Sequence, residues 1–323
     1  MSTTAPFSTR LTDFFGVRHP ILLAPMDQVA GGRLAAAVTT AGGLGIIGGG
    51  YGDLEWLLRQ CDAAQGVRFG VGFITWSMAR NPELLDIALA RQPETIFLSF
   101  GAPAVFVDRI HQANVSLTCQ VHTREQARQA LDSGADVLVA QGSEAGGHGM
   151  SARSTFTLVP EVVDLVAQRS AQIPVVAAGG VADGRGLAAA LALGADGVLL
   201  GTRFWACQEA LVTPQAHQRA LHAGGDDTIR TQVYDIVRQR DWPTGYDARL
   251  ISNALIKAWH GKEAELLAHL PEAVSDFQRA VAAQDYDVIT PLVGEAIGLI
   301  SRIRSAAEIV AEMIGDAARI LNR

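Results

Sequence analysis

Eight short apolar runs, separated by segments with helical apolar spacing, constrain this chain more than any other feature. They occupy residues 21–24, 44–47, 69–73, 95–99, 115–119, 137–140, 175–178 and 198–200. A run that is apolar throughout belongs to a strand buried on both faces, and helices alternating with such strands cover a parallel sheet. Residues 53–64, 82–91, 124–133 and 185–193 supply the helical periodicity between runs. Eight such units predict an α/β fold, a (β/α)₈ TIM barrel, with a doubly wound open sheet as the alternative. An internal echo supports repeated units. Residues 133–142 read SGADVLVAQG and residues 193–202 read LGADGVLLGT, each a helix end, a glycine and a buried strand. Gly-Ala-Asp is also a common turn between helix and strand, so the echo alone does not decide the fold.

The character changes after Phe204. Residues 214–323 read as helical with no convincing strand, and 241–245 and 285–291 read as loops between helices. The expected organisation is a barrel over 1–213, a helical lid or substrate-binding addition over 214–299, and a terminal helix over 300–323 packing back on the barrel.

Composition excludes several classes. A net charge of −7 without a basic stripe argues against a nucleic-acid partner. Cys61, Cys119 and Cys207 lie far apart and form no CxxC pair, so neither a disulfide frame nor a zinc site is indicated. No apolar run approaches the length of a membrane span, and the N-terminus lacks the pattern of a secretory signal. A cytoplasmic protein is expected. A homodimer is compatible with this reading but not demanded by it.

In a barrel, chemistry sits at the C-terminal ends of the strands. There the sequence places Ala24, Pro25 and Met26 after the first run and the stretch Gln141-Gly-Ser-Glu-Ala-Gly-Gly-His-Gly149 after the sixth. Gly179 and Gly180 follow the seventh, with Asp183 as a helix cap, and Gly201 and Thr202 follow the eighth. Glycine-rich ends on the last two strands are where barrels cradle a phosphate with backbone N–H groups. The chain's two lysines, Lys257 and Lys262, lie outside the barrel, which removes Schiff-base chemistry from its strands. The strand ends also lack His and carboxylate clusters, so no metal is expected. What remains is a phosphate-bearing organic cofactor held mostly by neutral groups.

These residues resemble a known family. Residues 140–149 (AQGSEAGGHG), residues 177–204 (AAGGVADGRGLAAALALGADGVLLGTRF), the early Ala-Pro-Met and residues 294–300 are similar to the nitronate monooxygenases. The same superfamily includes FMN-dependent enoyl-acyl carrier protein reductases and NADH:quinone reductases. The resemblance implies FMN as cofactor, with the Ala24–Met26 backbone against the isoalloxazine and Gln141 hydrogen-bonding the flavin. It places Gly142, Gly146, Gly147, Gly179 and Gly180 around the cofactor, and Leu199, Leu200, Gly201 and Thr202 at its phosphate. One departure stands out: Gly72 occupies a position where the family usually has Asn.

His148 is the expected catalytic residue. An imidazole can move a proton or orient an anion, and this one lies in a glycine-rich stretch with no evident helix or strand to pack it. Glu144 either orders that loop or contacts the flavin. Ser99, Trp76 and His122 follow strand ends and are weaker pocket candidates, as are Tyr246 and Arg249 in the addition; His260 and His269 read as surface or helix-packing residues. The expected activity is oxidation of alkyl nitronates, propionate 3-nitronate among them, to carbonyl compounds and nitrite with O₂. The alternative within the superfamily is an NAD(P)H-dependent FMN reductase of quinones or enoyl thioesters. A barrel that binds a phosphate without redox turnover is the alternative outside it.

Overall fold

A computed structural model describes residues 7–151, 153–169 and 172–322; the first six residues, on which part of the leader argument rests, lie outside the described residues. Strands β1 (Ile21–Leu23), β2 (Ile46–Gly48), β3 (Gly70–Ile74), β4 (Thr95–Ser99), β5 (Ser116–Val121) and β6 (Val137–Gln141) follow one another with helices between them. A short strand β7 (Gly147–Gly149) precedes β8 (Val175–Ala178) and β9 (Gly197–Leu200). Eight of them form one parallel sheet in the order β1-β9-β8-β6-β5-β4-β3-β2. The sheet closes on itself: Leu22 bridges Leu44, and the Leu23 N–H donates to the Leu44 carbonyl at 3.0 Å. The expected barrel is the observed fold.

Period-two alternation divides each strand between two cores. Ile21 and Leu23 face the surrounding helices, whereas Leu22 joins Ile46, Phe97, Val137, Val139, Val176 and Leu199 inside the barrel. Each such aliphatic side chain withdrawn from water stabilises the fold by about 1.5–3 kcal/mol. Leu11 and Phe15, from the helix Arg10–Phe15, close the N-terminal end of the interior. Glycine at 197 makes room for this plug, because a Cβ there would lie 2.5 Å from Leu11 Cδ2.

The internal echo has a structural cause. Gly134 (φ +96°) and Gly194 (φ +90°) both hold the left-handed conformation that ends a helix. Two residues later, Asp136 Oδ2 accepts from the Leu117 N–H at 2.7 Å, and Asp196 Oδ2 accepts from the Val175 N–H at 2.9 Å. Each aspartate ties the start of its own strand to the neighbouring one. Asp183 caps as expected, accepting from the backbone of Arg185 and Gly186.

Beyond the barrel the all-helical reading needs correction. Strands β10 (Thr228–Thr231) and β11 (Asp247–Ile251) pair antiparallel, and β11 pairs with β7 from the barrel loop. Residues 241–245 therefore join a helix to a strand. Both strands are short and carry charged residues, and the partner on the other side of β11, β7, lies far earlier in the sequence, so no clear local alternation marks them. Around this small sheet, Val233, Val237, Leu250, Ile256, Leu266 and Phe277 form a separate core. The helix Ala306–Leu321 lies against the helices Gly184–Ala192 and Gly32–Thr40, where a Cβ on Gly184 would meet Asp316 Cβ at 2.5 Å. Among the described residues, no helix is long and apolar enough to cross a membrane.

Candidate active site

A cavity of about 510 Å³ opens at the C-terminal ends of the strands. Every strand end of the barrel contributes to it. Ala24, Pro25 and Met26 follow β1, Gly50 follows β2, Gly72 lies on β3, and Ser99 and Phe100 end β4. Gln120, Gln141, Gly179, Gly180, Leu199, Gly201 and Thr202 line the opposite part, and Gly146, Gly147 and His148 come over from the loop after β6. The structure thus gathers thirteen of the fifteen sequence-expected site residues around one space. Gly142 and Leu200 are the exceptions. Leu200 turns outward into the helix-facing core. Gly142 lies beneath the loop, where a Cβ would meet the Thr155 backbone nitrogen at 2.2 Å.

The glycines are present for two separate reasons. Gly179 (φ +100°) and Gly180 (φ +75°) adopt backbone angles that other residues avoid, which turns the chain after β8 around the cavity. Gly146 is needed for close approach, since its Cβ would lie 2.3 Å from the Gly294 nitrogen. At Gly72 a Cβ would lie 2.3 Å from Pro25 Cβ. The proline ring fills the space that a side chain at 72 would need.

His148 does not sit in an unstructured loop. Its segment is strand β7, paired through Ala248 to β11. That pairing brings up the helix Val233–Val237, whose Asp235 carboxylate accepts from His148 Nε2 at 2.9 Å. The two side chains are 8% and 5% exposed. The indole of Trp242 stacks on the imidazole with centroids 3.5 Å apart and planes 7° apart. With Nε2–H given to Asp235, the acceptor on the neutral ring is Nδ1. Carboxylate, imidazole and indole together hold one tautomer in one orientation.

A second imidazole braces the flavin-facing candidate Gln141. His122 Nε2 bonds Gln141 Oε1 at 2.7 Å, and Gln120 Nε2 donates to the same oxygen at 3.1 Å. Both donors occupy the amide oxygen, which leaves the Gln141 amide N–H groups for the cavity. Burial pushes the His122 pKa down to about 4, so this imidazole is neutral and acts as a brace. Phe100, at φ +63°, stacks beside it and holds a strained backbone at the cavity wall.

The Ser143–Gly149 stretch is fastened from the addition. Arg230 donates to the carbonyls of Ser143 and Gly149 and pairs with Asp247 at 2.6 Å. Arg249 donates to the same Ser143 carbonyl and pairs with Glu295. Glu144 orders the loop: its carboxylate accepts from the Thr155 N–H and hydroxyl at 3.0 Å, at the start of the helix Thr155–Gln168. Ser99 lines the cavity, whereas Trp76, His122, Tyr246 and Arg249 stand behind its wall. His260 and His269 are exposed, far from it in the addition. Sequence reasoning missed Asp235, Trp242, Tyr51, Arg238 and Asp27. Asp27 follows the Ala-Pro-Met stretch directly, so its place at a strand end was the available signal. Desolvation raises its pKa, against the lowering fields of Arg238 and Arg240.

Known proteins share this architecture. The sequence profile of the nitronate monooxygenases matches residues 8–70 and 73–316. The chain belongs to the nitronate monooxygenase family. It is an oxidoreductase. The family match is interrupted at residues 71–72, the place where Pro25 fills the space beside Gly72. A nitronate monooxygenase of Neurospora crassa is 32% identical over 96% of this chain and 92% of its own length. Among solved structures, FabK from Thermotoga maritima superposes with a TM-score of 0.82 at 30% identity, covering 98% of each chain. Nitroalkane oxidase from Streptomyces ansochromogenes superposes with a TM-score of 0.78 at 26% identity, covering 98% of this chain and 100% of that one.

Proposed function

We propose that this family member is an FMN-dependent nitronate monooxygenase that converts alkyl nitronates, propionate 3-nitronate among them, to carbonyl compounds and nitrite with O₂. The observation that carries the reading is His148, locked by Asp235 and Trp242 at the cavity wall beside the glycine-lined strand ends.

The residues present fit FMN. Gly179 and Gly180 turn the chain after β8 at positive φ, and a Cβ on Gly201 would meet nothing nearer than Ala24 Cβ at 3.7 Å, so backbone lines the cradle at the ends of β8 and β9. Thr202 Oγ1 accepts from the Gly294 N–H at 2.9 Å, which frees its hydroxyl proton for a phosphate oxygen. The phosphate would meet only neutral donors here, because Arg203 is turned away onto the carbonyls of Ala206 and Arg302. Ala24, Pro25 and Met26 would lie along the ring system, and the Gln141 amide N–H groups would donate to it. When bound, the flavin supplies the electron transfer between nitronate and O₂.

The chain's own residues supply orientation and proton handling. His148 Nδ1 accepts the α-proton of a neutral nitroalkane, and the resulting imidazolium is stabilised by the Asp235 carboxylate. For a substrate that arrives as the nitronate, the imidazole fixed by Asp235 and Trp242 sets the orientation of the bound anion. Phe100, Tyr51 and Trp242 give the cavity aromatic walls, and polar contacts beside such low-dielectric surfaces are strengthened.

The likeness to T. maritima FabK favours one second reading, an NAD(P)H-dependent reductase of quinones or enoyl thioesters. One experiment separates the two. FMN-loaded protein is titrated anaerobically with an alkyl nitronate and, in parallel, with NADH, while flavin absorbance is followed; O₂ is then admitted and nitrite assayed. Loss of the oxidised flavin band with nitronate, followed by nitrite release, is expected. Bleaching by NADH with the nitronate inert would assign the reductase instead.

A further inference from the structure

Arg238 stands out among the charged groups of the cavity. Most arginines of the described residues spend their guanidinium groups on carboxylates or carbonyls, as Arg230 and Arg249 do in fastening the loop. The Arg238 side chain lines the cavity and makes no hydrogen bond or ion pair with any described residue. Two rings hold it instead: its guanidinium carbon lies 5.9 Å from the Tyr51 centroid and 5.3 Å from the Tyr234 centroid. Arg240, also without an ion pair among the described residues, lies 4.1 Å over the same Tyr51 ring. Cation–π contacts fix a guanidinium while leaving its N–H donors unspent. Asp27 feels the field of Arg238 without lying within ion-pair distance, so this half-buried guanidinium keeps its N–H donors unspent.

Its position relative to His148 follows from the aromatic wall. Trp242 stacks on His148 and donates its indole N–H to the Tyr51 hydroxyl at 2.9 Å, and Arg238 rests over Tyr51. Two rings therefore separate the cation from the imidazole. Two carboxylates also line the cavity; Glu144 is spent on Thr155, whereas Asp27 faces the open space. The Asp27 carboxylate would oppose the doubly charged head of a phosphate at Arg238 more than the single charge of one carboxylate group, which favours a carboxylate over a phosphate at that point.

We propose that Arg238 is the specificity-determining residue of this cavity, receiving a carboxylate that the substrate carries a short chain away from the group held at His148. The assignment rests on the nitronate reading for its substrate, but not for its binding test. Two measurements on the FMN-loaded enzyme decide it. The first compares kcat/KM for propionate 3-nitronate with that for the nitronate of 1-nitrobutane in wild type, R238Q and R238K. A charge-assisted contact predicts that R238Q loses about 10- to 100-fold more on the carboxylated substrate than on the neutral one, mainly through KM. R238K recovers part of the difference. An equal loss on both substrates overturns the proposal.

The second is calorimetric titration with glutarate and, separately, with inorganic phosphate. Glutarate binding that R238Q weakens supports the subsite. Identical glutarate affinity in both proteins, or phosphate binding in place of glutarate, overturns it. Should neither nitronate be turned over while glutarate binding still depends on Arg238, the nitronate reading fails and the anion subsite stands.

Discussion

Replacing Asp235 by Asn tests the chemistry at its most specific point. The substitution keeps the size and shape of the side chain, so it changes charge at the imidazole with little change in packing. In the wild type both carboxylate oxygens lie within 3.0 Å of His148 Nε2, and both side chains are almost fully removed from water. A hydrogen bond to a charged partner contributes about 1.5–3 kcal/mol and one between neutral groups about 0.5–1.5 kcal/mol. The difference, about 1–1.5 kcal/mol, is lost where the imidazolium forms. It corresponds to roughly a 5- to 12-fold fall in kcat/KM. The loss grows if the Asn amide presents its NH₂ group, because His148 must then carry its proton on Nδ1 and cannot accept one. The assay is nitrite release and O₂ uptake across substrate concentrations, with FMN content and Tm measured on the same preparation. D235N activity within about twofold of wild type, at unchanged FMN content, would refute the role assigned to the His148–Asp235 pair.

Three further outcomes are expected. Gly146→Ala should destabilise the protein by about 1–3 kcal/mol in thermal or denaturant unfolding, since the new Cβ would meet backbone atoms of Val293 and Gly294 at 2.3–2.4 Å. Asp27 has a pKa raised above 3.8 by burial, so its ionised form weakens the folded state at neutral pH and not below pH 3.8. Asp27→Asn should therefore raise Tm at pH 7, with the gain vanishing as pH falls toward 3.8; a Tm gain independent of pH would contradict this. His122 stays neutral in the fold down to about pH 4, whereas the unfolded chain takes up its proton near 6.5. It thus withdraws stability as pH falls from 6.5 to about 4. Over that window the Tm of His122→Gln should gain on that of wild type, and parallel curves would show that this imidazole is not the acid-sensitive group.

Local pattern determines a large part of this protein. The eight barrel strands fall within two residues of the apolar runs, because strand and helix periodicities of 2 and 3.6 residues are properties of neighbouring positions. Asp183 and the two Gly-Ala-Asp turns are equally local, since each acts within a few residues or at the adjacent strand. A barrel also has a known working end, which located Ala24, Gln141, His148 and the glycines after β8. Tertiary structure alone decided what His148 is bonded to. Asp235 lies 87 residues further along the chain. It meets the imidazole only because β7 borrows β11 as a partner across a sheet whose strands are too short and too charged to show themselves. Arg230 and Arg238 read as ordinary polar positions of a helical stretch, and Trp242 as part of a loop between helices, until that sheet folds them over the barrel mouth. A long-range contact leaves no period in the sequence. Its stability comes from the packed whole, so the partners that orient His148 became visible only in three dimensions.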